Sequence, residues 1–418
     1  MHHFTRSIAE QDPTIHALLE KELHRLGTTL QLIPSENFAS KAVLAATGSI
    51  ASNKYAEGYP GRRYYEGNEY IDQMEQLAID RAKLLFGAEY ANVQPLSGGP
   101  ANMCVYEAFL QEGETVLSMD LAQGGHLTHG AMVNFSGKKY RFVHYPVDPV
   151  THRIDMHTVR EVALREKPRM IVCGASAYPR LIDFSAFRAI ADEVGAYLFA
   201  DVSHISGLIV AGVHPNPLPF ADVVTTTTHK TLRGPRGALI LSRQEFAKAL
   251  DSAVFPRIQA GPHQNMIVAK AVAFHEAMQP EFRQYAEQVV ANAKVLAEAL
   301  TEKGYTLTTG GTDNHLMVVN VAAKGMTGSE AASTLAKTGM VTNKNMIPYD
   351  TASPFVTSGV RLGTPAMTSR GMQEADMQHI ATWMDRALSA RDRADALLAI
   401  RQEIEEHLAS FPIYDSYA

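Results

Sequence analysis

Between residues 90 and 240 of this 418-residue chain, short apolar runs alternate with amphipathic stretches, and no other feature limits the fold as tightly. Residues 114–119, 140–145, 170–174, 197–201 and 221–228 are rich in β-branched, aromatic and aliphatic side chains and read as strands. Residues 100–110 and 184–194 carry apolar positions at helical spacing, the first with Pro100 in its opening turn. Strands apolar on both faces must be covered on both, and consecutive parallel strands need a crossover, usually helical. The pattern therefore predicts an α/β domain around a largely parallel sheet, with its ligand crevice beyond the carboxyl ends of the strands.

The flanks have a different texture. Residues 14–26 set Ile15, Leu18, Leu19, Leu23 and Leu26 on one helical face, and residues 70–86 form a second helix stopped by Gly87. Past residue 280 a long amphipathic helix over 282–303 is followed by strands over 306–309, 316–321 and 359–362, with a helix over 329–337. Two helices over 373–389 and 392–409 close the chain, so this part reads as a smaller α+β unit. The expected division is an N-terminal helical arm over 1–50, a large α/β domain over 51–280 and a small C-terminal domain over 281–418.

The residues at the strand ends carry the chemistry. The strand reaching Thr228 runs straight into His229 and Lys230, the strand ending on Asp201 is followed by Ser203 and His204, and residues 170–174 lead to Ser176. Singly, an Asp at a strand end is a turn former and a Lys is solvated. In a parallel sheet, however, these three strand ends share one crevice. An apolar setting lowers a lysine's pKa, which suits an amine that forms Schiff bases with carbonyl compounds. A lysine with a nearby carboxylate is the pair that pyridoxal phosphate requires, one for its aldehyde and one for its pyridinium nitrogen. QPLSGGPAN, residues 94–102, adds a Gly-rich turn opening a helix, whose backbone amides suit a phosphate. A nicotinamide cofactor fits less well, because no G-x-G-x-x-G follows a strand. In DLAQGGHLTHG, residues 120–130, His126 and His129 could ligate a metal if helical. The neighbouring glycines indicate a loop, so a histidine stacked on a flat ring is expected there, and no metal. SGKK, residues 136–139, matches S-x-x-K without its partner motifs and reads as chance.

Composition removes other classes. A net charge of −6 gives no basic excess for a dedicated nucleic-acid protein. Cys104 and Cys173 lie in apolar runs and read as reduced core thiols. The first residues, MHHFTRSIAEQDPTI, contain no apolar signal core, and no window approaches about 18 uninterrupted apolar residues. The expected location is the cytoplasm.

Several unusual motifs, in order along nearly the whole chain, resemble serine hydroxymethyltransferase, a family of fold-type I pyridoxal-phosphate enzymes. They are NKYAEGYPGRRYY (53–65), GGHLTHG (124–130), VNFSGK (133–138), GASAYPR (174–180) and TTTTHKTLRGPRG (225–237), then GGTDNH (310–315), TNKN (342–345) and TSGVRLGTPA (357–366). The resemblance implies a large domain built on a seven-stranded, mainly parallel sheet. It also implies reversible transfer of the serine hydroxymethyl group to tetrahydrofolate, giving glycine and 5,10-methylenetetrahydrofolate. Lys230 would hold the cofactor as a Schiff base, Asp201 would pair with its ring nitrogen, His204 would lie near its ring hydroxyl and His126 would stack on its face. Gly98 and Gly99 would cup its phosphate, with Tyr55 and Gly261 supplied by a partner subunit, while Ser35, Ser176, Thr227 and Arg236 would also contact it. Arg361 would clamp the substrate carboxylate and His229 would tune specificity. Glu57, Tyr64 and Tyr65 would come from the neighbouring chain, with Glu57 as the acid/base and Tyr65 beside it. Folate would lie against Leu121, Gly125 and Leu127, with Asn345, Ser353 and Phe355 reading its pteridine. Shared sites imply at least a homodimer. The motifs depart from the family pattern at Gly99, Glu66, Ala260 and Tyr349. An enzyme of the same scaffold acting on α-methylserine, or a folate-independent threonine-type aldolase or transaldolase, is the alternative.

Overall fold

The computed structural model describes residues 2–416. Its central sheet contains β1 (Tyr90–Asn92), β2 (Thr115–Met119), β3 (Arg141–Tyr145), β4 (Met170–Cys173), β5 (Tyr197–Asp201), β6 (Val223–Thr227) and β7 (Ala238–Ser242). Their spatial order is β1-β7-β6-β5-β4-β2-β3. The pairs from β3 through β6 are parallel, and only β7 is reversed, lying antiparallel between β6 and β1. Two reversals restore direction, so β1 points the same way as β2–β6 and six carboxyl ends share one edge.

Side-chain alternation along the strands builds two layers. Leu117, Ile171, Cys173, Leu198, Ala200, Val224, Leu239 and Leu241 enter one core, while their neighbours Val116, Met170, Val172, Phe199, Val223, Ala238 and Ile240 enter the other. Helices α1 (Pro13–Gly27), α2 (Glu69–Phe86), α3 (Gly98–Phe109), α4 (Met156–Glu166), α5 (Phe184–Val194) and α6 (Gln264–Ala277) precede or cover this sheet. α2, α4, α5 and α6 pack on the first face and α3 on the second. Local chemistry sets their ends: the Asp183 carboxylate accepts from Ala186 N at the start of α5, and Gly195 closes it in the left-handed conformation, as Gly87 closes α2.

The C-terminal part contains α7 (Pro280–Glu302), α8 (Gly328–Lys337), α9 (Glu374–Ser389) and α10 (Ala394–Leu408). Its sheet has the order β8-β9-β11-β10, all antiparallel, from β8 (Thr306–Leu307), β9 (Leu316–Asn320), β10 (Asn343–Asn345) and β11 (Gly359–Gly363). The cores change over inside α7. Phe282 to Val289 pack on the large sheet, whereas Ala293 to Leu300 pack with the small one. Leu30 and Leu32 also join the small core, and Leu30–Gln31 pairs in parallel with Met340–Val341.

Most element boundaries shift by one or two residues from the sequence reading, and two of the shifts change the local geometry. The helix expected from Pro100 begins at Gly98, which puts both glycines of the phosphate turn inside its first turn. The strand expected over 306–309 stops at Leu307, because Thr309 adopts a positive φ of 62° and turns the chain. Cys104 and Cys173 are buried free thiols, as expected, and burial pushes both pKa values up. No helix among the described residues is long and apolar enough to cross a membrane.

Candidate active site

The carboxyl edge of the sheet assembles the site. β5 delivers Asp201, the turn after β6 delivers His229 and Lys230, the turn after β4 delivers Ser176, and the segment after β2 delivers Leu121 to His129. β1 leads through Gln94 to the first turn of α3. These segments surround a cavity of about 480 Å³ lined by Ser35, Gly98, Gly99, Leu121, Gly125, His126, Leu127, Ser176, His204, Thr227, His229, Lys230, Arg236, Asn345 and Arg361.

The threonines that lead to Lys230 are buried, and every hydroxyl has a place to donate. Thr225 Oγ1 donates to Asn102 Oδ1 (2.7 Å), Thr226 Oγ1 to the Thr227 carbonyl (2.8 Å), Thr227 Oγ1 to the Ser203 carbonyl (3.2 Å) and Thr228 Oγ1 to the Pro235 carbonyl (2.6 Å). Leaving one such hydroxyl unpaired would cost about 1–3 kcal/mol. The run therefore combines a stiff β-branched strand with cross-links to three neighbouring segments. Beyond it, Gly234 N donates to the Thr228 carbonyl (2.7 Å) and Thr228 N donates to the Gly237 carbonyl (3.0 Å), which closes the turn that presents Lys230. A Cβ on Gly234 would stand 2.7 Å from that Thr228 oxygen, so only glycine fits.

Lys230 is buried. Burial lowers its pKa to about 8; the negative charge of Asp201 acts against this, and Arg361 and Arg236 act with it. Asp201 is also buried, and its carboxylate accepts from four donors. Asn102 Nδ2 (2.8 Å) and His129 Nε2 (3.1 Å) meet Oδ2, while Ser203 N (3.1 Å) and Ser203 Oγ (2.6 Å) meet Oδ1. Burial alone would raise its pKa, but the His129 hydrogen bond and charge, the His126 charge and the Ser203 hydroxyl outweigh it and hold the carboxyl well below its usual range. Asp201 is thus a fixed, buried anion close enough to Lys230 to favour its ammonium form.

The histidines that line the cavity, His126, His204 and His229, are held in the neutral form. Burial lowers His126 to about 4 and His229 to about 3, in the second case with Arg236 and Lys230 adding repulsion. Burial also pushes His204 well below its ordinary value, and its Nδ1 lies 3.3 Å from Nε2 of His315, which is itself lowered to about 3. The His126 ring is oriented through Nδ1 by the Thr128 hydroxyl (2.7 Å) and the Thr128 amide (3.2 Å). The pair singled out in the sequence, His126 and His129, therefore divides its labour: His126 faces the cavity and His129 holds Asp201.

Arg361 reaches in from β11. Its Nη1 donates to the Ser176 carbonyl (2.7 Å) and its Nε to Asn343 Oδ1 (3.2 Å), and among the described residues Nη2 has no partner. Burial lowers it only to about 10, so it remains a cation with one free edge.

A second buried lysine, Lys270 on α6, provides a contrast. Burial also lowers its pKa, to about 7, with Glu75 acting the other way. Yet its Nζ donates to the Val93 (2.6 Å), Ala238 (2.8 Å) and Pro95 (3.1 Å) carbonyls. Three acceptors take all three ammonium protons, so Lys270 is a structural cation beneath the phosphate turn, whereas Lys230 opens on the cavity.

The residues present fit pyridoxal phosphate. A cavity lysine of lowered pKa has an ionised carboxylate within electrostatic reach, and a neutral imidazole lies along the cavity wall. α3 begins without a side-chain cap from Ser97, leaving its first amides for an anion. A Cβ on Gly98 would come within 2.9 Å of Thr227 Cγ2, so the close approach of this turn to β6 depends on glycine, whereas one on Gly99 would meet nothing nearer than 3.9 Å. His229 Nδ1 and His315 Nδ1 are buried without a partner among the described residues. Asn102, Ser203, Thr128 and His315 carry roles that the sequence reading did not assign. Asn102 stood inside the quoted QPLSGGPAN stretch, but nothing local marks its link to Asp201.

Tyr55, Glu57, Tyr64, Tyr65, Gly261, Ser353 and Phe355 do not line this cavity within one chain. Tyr55 packs edge-on against Tyr65, with ring centroids 5.2 Å apart, and over Gly261; Tyr64 packs against Phe255. Tyr55, Tyr64 and Tyr65 are exposed, and Phe355 is 83% exposed. Glu66 and Ala260 are exposed as well. Tyr349 donates from Oη to the Val147 carbonyl (2.5 Å), so the departure at this position ties the segment after β10 to the large domain.

The family model described as serine hydroxymethyltransferase matches residues 8–384. A serine hydroxymethyltransferase of Acidobacterium capsulatum is 54% identical over 408 residues, covering 98% of this chain and 96% of that protein. With a fold-type I sheet and the lysine and carboxylate at its carboxyl edge, the chain belongs to the serine hydroxymethyltransferase family of pyridoxal-phosphate-dependent transferases, whose co-substrate is tetrahydrofolate.

Proposed function

We propose that this chain moves the hydroxymethyl group of serine reversibly to tetrahydrofolate, giving glycine and 5,10-methylenetetrahydrofolate, and that it does so as a homodimer with shared sites. The observation that carries this reading is Lys230, in one cavity with Arg361 and within electrostatic reach of the four-donor carboxylate of Asp201. When bound, the cofactor supplies a ring that accepts the electron pair released at the substrate α-carbon. The chain supplies the rest. Lys230 holds the cofactor through its amine, and Asp201, kept ionised, holds the proton on the ring nitrogen. The neutral His126 ring would lie along the cofactor face, and the amides of Gly98 and Gly99 would receive the phosphate, with Tyr55 and Gly261 of the partner subunit completing the cup. Thr227 gives its own proton to the Ser203 carbonyl, so it would meet the cofactor only as an acceptor or through its methyl group.

Arg361 orients serine by its carboxylate through the free guanidinium edge, backed by Ser176 and Asn343. Ser35 and the neutral His229 bound the side on which the hydroxymethyl group lies, and Arg236 keeps that side cationic. Leu121 and Leu127, 44% and 46% exposed, offer apolar surface to a flat folate ring, with Gly125 and Asn345 lining the same cavity and Ser353 and Phe355 reading the pteridine from outside that lining. Glu57 of the partner subunit serves as proton donor and acceptor, flanked by the partner's Tyr64 and the partner's Tyr65. The exposed aromatic patch that bears these residues in each chain, and its separation from that chain's own Lys230, support assembly in trans.

Residues 51–280 act in this reading as the cofactor-binding unit and residues 281–418 as the unit that brings Arg361 to it, after the helical arm over 1–50. Two buried unpaired cysteines and the small soluble substrates support a cytoplasmic setting. The steady-state conversion of L-serine to glycine, measured with and without tetrahydrofolate, tests the proposal. Folate-dependent turnover is expected; cleavage of β-hydroxy amino acids that ignores folate would replace this reading by an aldolase.

A further inference from the structure

On the small domain, away from the Lys230 cavity, three metal-ligating side chains converge between α9 and α10. His407, in the last turn of α10, directs Nε2 to Asp376 Oδ1 on α9 at 2.8 Å. His379 lies one turn along α9 from Asp376, and its ring meets that of His407 at 5.4 Å and 87°. One potential ligand atom from each of the three lies within 4.8 Å of the others. The arrangement is anchored from behind. Asp376 Oδ2 accepts from the Gln373 amide at 2.8 Å, which fixes the carboxylate and leaves Oδ1 turned to the histidines. Trp383, one further turn along α9, packs on both imidazoles at 5.7 and 5.3 Å and is pinned through Nε1 to Glu403 Oε2 at 3.0 Å. His407 and Asp376 are 22% and 14% exposed, while His379 faces solvent and leaves an open path.

Two imidazole nitrogens and one carboxylate oxygen are the donor set of a borderline divalent cation, with water in the fourth position. Bonds of about 2.0–2.2 Å in a tetrahedral site put ligand atoms about 3.3–3.5 Å apart. Rotation of the exposed His379 side chain closes that difference, since His407 and Asp376 already face each other. The backbone hydrogen bond on Asp376 and the tryptophan wall are the outer supports that such a site uses. We propose that Asp376, His379 and His407 bind a divalent transition-metal ion of the zinc class on the small domain, separate from the pyridoxal-phosphate site.

Trp383 is the single tryptophan of the chain, so its emission reports on this position alone. The holoenzyme, carrying His2→Ala and His3→Ala to remove terminal nickel ligands, is titrated with Ni²⁺, a quencher, and then with Zn²⁺. Saturable loss of Trp383 emission is expected, with recovery as Zn²⁺ displaces Ni²⁺. His379→Ala, at an exposed position that does not hold the fold, should weaken the Ni²⁺ effect at least about tenfold, and His407→Ala likewise. Quenching that does not saturate, or that is the same in His379→Ala, would overturn the proposal and leave a His–Asp ion pair packed on an indole.

Discussion

The pKa of Lys230 can be measured directly, and its value follows from what surrounds it. An ordinary lysine near 10.5 is neutral in roughly one molecule in 3,000 at pH 7, whereas a lysine at about 8 is neutral in about one in ten, a gain of ~300-fold in the reactive form. Burial produces the shift, Asp201 limits it and the two arginines extend it. Cofactor-free protein labelled with trace acetic anhydride across pH 6 to 11, followed by mass spectrometry of the Lys230 peptide, should give half-maximal reactivity near pH 8. Asp201→Asn removes the one nearby negative charge that favours the ammonium, so its midpoint should move to lower pH. The sign also governs stability. A lysine whose folded pKa lies below its unfolded value opposes folding as the pH drops from about 10.5 to about 8, the interval in which only the unfolded chain binds the proton. Lys230→Met should therefore stabilise the cofactor-free protein more at pH 7 than at pH 11. A wild-type labelling midpoint at or above pH 10, or an upward move in Asp201→Asn, would refute this electrostatic account.

Glycine placement gives a paired prediction. Gly98→Ala should weaken cofactor retention roughly tenfold, because its Cβ meets Thr227 Cγ2 at 2.9 Å and shifts the first turn of α3, and Thr227→Ser in the same chain should restore retention by deleting that methyl group. Gly99→Ala, with 3.9 Å of clearance, should retain cofactor like the parent, as followed by equilibrium dialysis. Sharing of sites has its own assay. Lys230→Ala and Glu57→Gln proteins, each weak alone, should regain folate-dependent turnover on mixing and subunit exchange, since one site of the mixed dimer then has both residues intact. No recovery after verified exchange would place Glu57 and Lys230 in the same chain's site.

Much of this arrangement is legible in the sequence because a parallel sheet converts chain order into spatial coincidence. Asp201, Ser176 and Lys230 come from separate strands, yet each stands at or just past a carboxyl end, so the strand pattern is enough to bring them together. The β-branched run before Lys230 marked a strand for the same reason that it makes a stiff one. Arg361 was different. It lies on an antiparallel strand of another sheet, and its contact with Ser176 spans 185 residues, so only the family's motifs pointed to it. Asn102 was missed because an amide one turn into a helix has no periodic signature, although it links Thr225, Thr128 and Asp201. Spacing alone could not tell His126 from His129, since their roles depend on which ring nitrogen reaches Asp201. The changeover between cores inside α7 leaves no break in helical period, and the sequence carried no mark of it.

Two buried lysines of lowered pKa, Lys230 and Lys270, stand among the described residues, and only one can take the cofactor. Burial alone would favour Lys270; hydrogen bonding and access favour Lys230, because three carbonyls hold the Lys270 ammonium in place. Holoenzyme reduced with borohydride and digested should carry the pyridoxyl group on the peptide containing Lys230, and Lys230→Ala should lose both that adduct and the visible absorption of the bound cofactor. A pyridoxyl group on Lys270, or an undiminished visible band in Lys230→Ala, would contradict the account.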